Sequence, residues 1–104
     1  MEKKNRIVVM VKEPGENWNP WNIENRLEDF QQLVGGYIET VTVNEELILI
    51  VNEEGKLKGL PGNFPFRGDW LCGTVVAAGA AGDEFASCPL RSDEAMIMAL
   101  VEDE

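Results

Sequence analysis

Two apolar runs enclose a long loop in residues 47–78, which read LILIVNEEGKLKGLPGNFPFRGDWLCGTVVAA. Residues 47–51 are apolar at every position, which is typical of a strand that is covered on both faces. Residues 71–78 predict another such strand. The loop at residues 52–74 sets glycines and prolines around a few aromatic residues, and this order of residue types is the most specific feature of the chain.

Two further strands are predicted before this loop. The β-branched run at residues 7–11 predicts a buried strand, and residues 37–43 predict a strand with one face partly in solvent. Asn44 and Glu45 fit a tight turn, because asparagine tolerates positive φ. The strands at 37–43 and 47–51 are therefore expected to form an antiparallel hairpin.

Apolar residues recur at helical spacing from Ile23 to Val34, and most charged residues of this segment fall on other faces. Gly35 follows directly and can adopt the left-handed conformation that commonly ends a helix. The residues before this helical segment predict a polar loop, which also supplies the N-cap of the helix. The candidate caps are Asn19 with Pro20, or Asn22.

A second helix is predicted near the C-terminus. Ser92 is a suitable N-cap there, and Asp93 and Glu94 favour the first turn through the helix dipole. The predicted order β-α-β-β-loop-β-α is typical of an α+β fold with a mixed four-stranded sheet covered by two helices. The length of 104 residues fits one domain over residues 1–104.

The chain is strongly acidic, with 19 acidic residues, 9 basic residues and a formal net charge of −10. Such a charge repels phosphate, so direct binding to nucleic acid is not expected. A basic partner protein is one interpretation, and a charge that only keeps a small protein soluble is the other. No apolar run reaches the roughly 18 residues of a membrane span and no signal peptide is recognisable, which predicts a cytoplasmic protein without membrane contact.

The composition excludes several classes of active site, because the chain contains no histidine. Ser-His-Asp and Cys-His systems are therefore impossible, and two distant cysteines do not make a zinc site. The glycines of the long loop lack the spacing of a phosphate-binding loop. We expect no enzyme activity, catalytic residue, cofactor or metal. Both cysteines are expected to be reduced, Cys72 buried in a strand and Cys88 in a more exposed loop.

The aromatic and polar residues of the loops provide one candidate interaction surface. Its aromatic rings either form an exposed cluster for protein binding or fold over the sheet as a lid on the core. Asp69 is either a ligand-binding carboxylate or a partly buried acceptor for the amides of residues 59–63. Asn63 is more simply a residue that fixes a turn. The candidate surface comprises Trp18, Trp21, Asn63, Phe64, Phe66, Asp69 and Trp70.

Five short motifs carry a resemblance to one family. They are LVGGYIE at 33–39, NEEGKL at 52–57, GLP with Asn63 at 59–63, GD at 68–69 and GT at 73–74. Over nearly the whole chain they resemble the small bacterial and phage proteins of domain of unknown function family 3846. The resemblance implies a protein of a phage, plasmid or integrated mobile element, with no known activity, cofactor or site residue. The chain departs from that family at residues 17–21 and at Phe64-Pro65-Phe66.

Three functions are open at this point. The first is a small accessory or protein-interaction domain without enzyme activity, whose partner is another protein or a second copy in a homodimer. The second is an acidic inhibitor of a defence system that imitates nucleic acid, which requires carboxylates in regular rows. The third is a small-ligand-binding site around Asp69 and Asn63.

Overall fold

The computed structural model describes residues 5–102, in which eight strands and two helices are formed. The strands are β1 (Arg6–Lys12), β2 (Asn19–Glu24), β3 (Ile38–Thr42), β4 (Leu47–Asn52), β5 (Gly62–Phe66), β6 (Asp69–Cys72), β7 (Val75–Ala81) and β8 (Glu84–Ala86). The helices are α1 (Leu27–Val34) and α2 (Asp93–Glu102). Neither helix is long and apolar enough to cross a membrane.

Six of the strands form one sheet, and β5 and β6 form a separate hairpin. Five strands of the sheet follow the order β2-β1-β7-β4-β3, and β8 pairs with the end of β7. All of these neighbours are antiparallel. The α+β class and the two helices are confirmed, whereas the mixed four-stranded sheet is wrong. The strands that the sequence did not predict are short and lack a continuous apolar run.

Residues 19–24 form the edge strand β2 rather than a polar loop and the start of a helix. In this strand Trp21 lies opposite Val9 and Ile23 lies opposite Ile7, so the two side chains share one face of the sheet. Pro20 is tolerated because an edge strand needs no outward hydrogen bonds. The prediction was wrong because Ile23 precedes Leu27 by four residues, which imitates helical spacing.

Helix α1 therefore begins later than predicted, and none of the candidate caps is used. Its N-cap is Arg26, which makes no side-chain capping hydrogen bond. The predicted end is confirmed, since Gly35 is left-handed with φ 78°. Leu27 is exposed, while Phe30 and Val34 are buried, so only the later part of the predicted apolar face contacts the core.

Each face of the sheet carries its own apolar core. Helix α1 connects β2 to β3, which are the two outer strands of the path, and so crosses one face. That core contains Ile7, Val9, Val11, Ile23, Phe30, Val34, Ile50, Val76 and Ala78. The opposite core, which includes residues of the β5–β6 hairpin and α2, contains Met10, Trp18, Val43, Leu47, Leu49, Val51, Phe66, Val75, Ala77, Cys88, Met96 and Leu100.

The predicted strand at residues 71–78 is divided at Gly73. This glycine has φ 83°, and a Cβ atom there would lie 2.8 Å from Leu60 Cδ1. This left-handed residue, which packs closely against Leu60, separates β6 from β7. Strand β7 also continues past the predicted end at residue 78, to Ala81, and the chain turns at Gly82 with φ 63°.

The β5–β6 hairpin turns at Arg67 and Gly68, whose φ angles are 52° and 80°. Two-residue hairpin turns with positive φ favour Asn-Gly, so arginine gives no sequence signal for this turn. The Arg67 guanidinium donates to the carbonyls of Thr42 (2.8 Å) and Val43 (2.6 Å) and lies 4.7 Å from the ring centroid of Phe66. These contacts offset the cost of the left-handed conformation.

The predicted turn at Asn44 and the predicted cap at Ser92 are confirmed, although Asn44 acts through side-chain hydrogen bonds and not through a positive φ. Asn44 Oδ1 accepts hydrogen bonds from the amides of Glu46 (2.8 Å) and Leu47 (3.0 Å), which closes the β3–β4 hairpin. Ser92 Oγ accepts a hydrogen bond from the amide of Ala95 at 3.1 Å and so caps α2.

Candidate functional site

The seven predicted site residues do not form one surface. Trp18 and Phe66 are core residues that are 4% and 3% exposed, whereas Trp21 and Trp70 are 49% and 54% exposed. Trp21 lines a groove between α1 and the sheet, and Trp70 lines a different groove beside β3. Of the two interpretations of the aromatic residues, the lid on the core therefore applies to some of them and the exposed surface to others.

Trp18 and Phe64 form the lid. Their rings meet edge to face with centroids 5.9 Å apart, and Lys12 Nζ lies 5.7 Å from the Phe64 centroid. The Trp18 amide donates to Asp93 Oδ1 at 2.8 Å, which ties the loop before β2 to the first turn of α2. These two rings belong to the core that the hairpin and α2 share.

Asn63 has a structural role that reaches beyond its own turn. Its Nδ2 donates to the carbonyls of Lys12 (2.8 Å) and Gly73 (2.9 Å), and its Oδ1 accepts from Lys12 Nζ at 2.8 Å. The side chain thereby joins the end of β1, the start of β5 and the residue that follows β6. Its hydrogen-bonding groups are occupied within the protein, so we assign Asn63 to the fold rather than to a ligand site.

Asp69 is exposed, not partly buried as predicted, and it pairs with the Lys56 ammonium rather than with the amides of residues 59–63. The hydrogen bond from Lys56 lowers the pKa of Asp69 below its usual value. The strand that Asp69 begins lies outside the sheet, which explains its exposure. The nearby Trp70 ring covers Gly62, where an added Cβ would lie 3.1 Å from Trp70 Cε3.

These last residues line a groove of about 180 Å³ beside β3. Its polar lining combines the Lys56–Asp69 pair with acidic residues such as Glu39 and Glu54. Glu54 is itself 3.7 Å from Lys58 Nζ. Because the Asp69 carboxylate already has a cationic partner, it is not free to bind a ligand, and we do not choose this groove as the candidate site.

The two cysteines are free, but their predicted environments are exchanged. Cys88 is fully buried, and its Sγ lies 3.9 Å from Met96 Sδ. Burial raises the pKa of the Cys88 thiol. Cys72 is only half-buried because its strand ends at the divided segment around Gly73.

The outer face of α2 carries exposed apolar residues that were not predicted as a site from the sequence. Ile97, Met98 and Val101 are 48%, 60% and 61% exposed, while Met96 and Leu100 point into the core. The available signal was the unbroken apolar run at residues 95–101, because a helix covered on one face needs only a stripe of apolar residues.

A groove of about 250 Å³ lies between this helix and β5. Its lining is almost entirely apolar: Lys12, Trp18, Phe64, Pro65, Ile97, Leu100 and Val101. Lys12 is the single charged residue of that described lining, and its ammonium already contacts Asn63 and the Phe64 ring. We call the groove together with Ile97, Met98 and Val101 the α2–β5 surface.

Within residues 5–102, no group of three His, Cys, Asp or Glu side chains is placed to hold a metal ion. No curated protein and no solved structure shows significant similarity to the chain. A family model described as Domain of unknown function (DUF3846) matches residues 5–99, which confirms the resemblance seen in the sequence motifs. The chain therefore belongs to the DUF3846 family.

Proposed function

We propose that this chain is a cytoplasmic protein-interaction domain without enzyme activity, encoded by a bacterial, phage or mobile-element genome, and that it binds a partner protein through the α2–β5 surface. The observation that carries the proposal is the row of exposed apolar side chains on α2, Ile97, Met98 and Val101. Contiguous exposed apolar patches mark interaction sites in proteins that are otherwise polar outside. The absence of histidine supports a binding role over a catalytic one.

The groove is built from side chains that the fold holds in place. Trp18 is fixed by its ring contact with Phe64 and by the hydrogen bond from its amide to Asp93. Pro65 adds a rigid backbone to the same wall. A preformed groove loses little conformational entropy on binding, so a modest apolar contact is sufficient for measurable affinity.

The partner that fits this surface is a basic amphipathic segment. Acidic residues flank the apolar row in the sequence, with Asp93 and Glu94 before it and Glu102, Asp103 and Glu104 after it. A partner segment with apolar anchors and flanking lysine or arginine residues would bury the row and satisfy these charges. A second copy is a poorer occupant, because two chains of net charge −10 repel each other.

Selection from a random peptide library displayed on phage tests this proposal. We expect enriched peptides to carry apolar residues at helical spacing with flanking basic residues. Ile97→Glu should weaken their binding at least about tenfold, since it places a charge in the centre of the contact. Leu57→Glu is the matched control, because Leu57 is 86% exposed and lies in the turn after β4.

Two results would contradict the proposal. One is a set of enriched peptides whose binding is equally sensitive to Ile97→Glu and Leu57→Glu, and the other is a selection that enriches nothing. Sedimentation of the free protein provides the remaining check. We expect a monomer, and a dimer that Ile97→Glu dissociates would make a second copy the occupant instead of a basic partner.

A further inference from the structure

We propose that a second groove, between α1 and β2, binds the guanidinium group of an arginine side chain from a partner protein. This groove has a volume of about 360 Å³ and lies on the sheet face that α1 covers. Its apolar wall includes Val11, Trp21, Ile23 and Leu33, and its acidic residues are Glu13 and Asp29. We call it the Trp21 groove.

Trp21 contributes an aromatic side chain to the lining of this groove. It lies opposite Val9 in the β1–β2 register and shares its side of β2 with the buried Ile23. Nearly half of the Trp21 side chain is nevertheless exposed, because α1 begins only at Leu27 and leaves this end of the face uncovered. Strand β2 fixes the position of Trp21, and the folded chain leaves about half of its side chain exposed.

The charge of the Trp21 groove is negative and incompletely paired. Glu13 is exposed and has no hydrogen-bond or ion-pair partner for its carboxylate among residues 5–102. Asp29 accepts one hydrogen bond, from Arg26 Nε to its Oδ1 at 3.1 Å. The described lining contains no lysine or arginine. A cation from outside would therefore meet the Glu13 carboxylate without a competing partner, whereas the Asp29 carboxylate is shared with Arg26.

Arginine satisfies each part of this lining. Its planar guanidinium stacks on an indole face and donates to carboxylates in a fixed fork geometry. Its methylene stem can lie along Val11 and Leu33, since long cationic side chains bury their stems on apolar surfaces. Lysine carries a compact, strongly hydrated charge that gains less from a flat ring.

This inference does not depend on the proposed function. The Trp21 groove and the α2–β5 surface belong to opposite faces of the sheet, with separate apolar cores beneath them. Loss of one site by mutation should leave the other intact. Arginine binding at the Trp21 groove is therefore tested independently of peptide binding to the α2–β5 surface.

Titration with three capped tripeptides, Gly-Arg-Gly, Gly-Lys-Gly and Gly-citrulline-Gly, provides the test. The readout is the NMR signal of the Trp21 indole Nε1–H, assigned by its loss in Trp21→Leu. We expect a saturable shift with the arginine peptide, roughly three- to tenfold weaker binding of the lysine peptide, and no saturable shift with neutral citrulline. Glu13→Gln should weaken the binding of the arginine peptide by roughly three- to tenfold.

Trp70→Leu is the matched control, because Trp70 is also about half-exposed (54%) but lies in the groove beside β3. It should leave the arginine titration unchanged, whereas Trp21→Leu should abolish the binding detected by calorimetry. Equal binding of citrulline, no saturation by the arginine peptide, or an effect of Trp70→Leu equal to that of Trp21→Leu would overturn the inference. Free arginine that binds as tightly as the peptide would overturn the assignment to a partner protein.

Discussion

Asn63 and Lys12 are joined by two hydrogen bonds that run in opposite directions. Asn63 Nδ2 donates to the Lys12 carbonyl and Lys12 Nζ donates to Asn63 Oδ1, each at 2.8 Å. A further bond from Asn63 Nδ2 reaches the Gly73 carbonyl at 2.9 Å. One amide side chain thus connects the hairpin of the long loop to β1 of the main sheet and to the link between β6 and β7.

Asn63→Ala should therefore lower the free energy of unfolding by about 1–3 kcal/mol, because it leaves two part-buried carbonyls and the Lys12 ammonium without this partner. Urea unfolding measures the change. Asn22→Ala is the control, since Asn22 makes an exposed hydrogen bond with Arg6, and its effect should stay within about 0.5 kcal/mol. Equal effects of the two substitutions would contradict the role given to Asn63.

The tryptophans should differ sharply in their effects on stability. Trp18→Ala removes a ring that is 4% exposed and packed against Phe64, so it should cost about 3–5 kcal/mol or prevent folding. Trp21→Ala removes a half-exposed ring on an edge strand and should cost less than about 1 kcal/mol. Thermal and denaturant unfolding compare the variants. A Trp21 effect as large as that of Trp18 would show that the Trp21 ring belongs to the core.

The carboxyl group of Asp69 should titrate below its usual range, because the hydrogen bond from Lys56 stabilises the ionised form. Carbon-13 NMR of the carboxyl carbon measures its pKa in the native protein and in Lys56→Gln. The variant should show the higher pKa. Since the folded-state pKa is lowered, any stabilisation by the pair is present above the unfolded-state pKa and lost as the pH falls through the folded one. An unchanged pKa in Lys56→Gln would contradict the pairing.

Cys88 should make the protein less stable in alkaline solution. Burial raises the pKa of its thiol in the folded state, while an exposed cysteine in the unfolded chain ionises near pH 8.5, at roughly the value of a free thiol. The stabilisation is therefore complete below that pH and falls as the pH rises towards the folded-state pKa. The free energy of unfolding of the wild type and of Cys88→Ala can be compared at neutral and at alkaline pH. The loss caused by the substitution should be smaller at the higher pH. A pH-independent difference would contradict this assignment.

Much of the sheet could be predicted from the sequence, because its central strands carry long β-branched or apolar runs. Strands β1 and β4 and the Asn44 turn followed from such local signals. Strand β2 could not be predicted in this way. Ile23 lies four residues before Leu27, and its position is compatible with a helix as well as with an extended strand. The β5–β6 hairpin was missed because Arg67 takes a left-handed turn position that glycine or asparagine usually occupies.

The candidate surface was harder to predict, because exposure depends on which neighbours tertiary packing brings together. Phe66 and Trp70 belong to the same hairpin, yet Phe66 enters the core and Trp70 covers Gly62 on the outside. Ile97 and Met96 are adjacent in one apolar run, and only the orientation of α2 on the sheet decides which is buried. The uninterrupted apolar character of α2 was a local signal that more than one face of the helix is apolar, but it did not show which face the fold leaves uncovered.

The most direct test of the proposed protein-binding role is the NMR footprint of the best enriched peptide on the isotope-labelled protein. We predict that the largest amide shifts fall in α2 around Ile97 and Val101 and in β5 around Phe64. Leu57→Glu should leave this footprint unchanged, whereas Ile97→Glu should remove it. A footprint centred on the groove beside β3, or on the Trp21 groove, would contradict the assignment of partner binding to the α2–β5 surface.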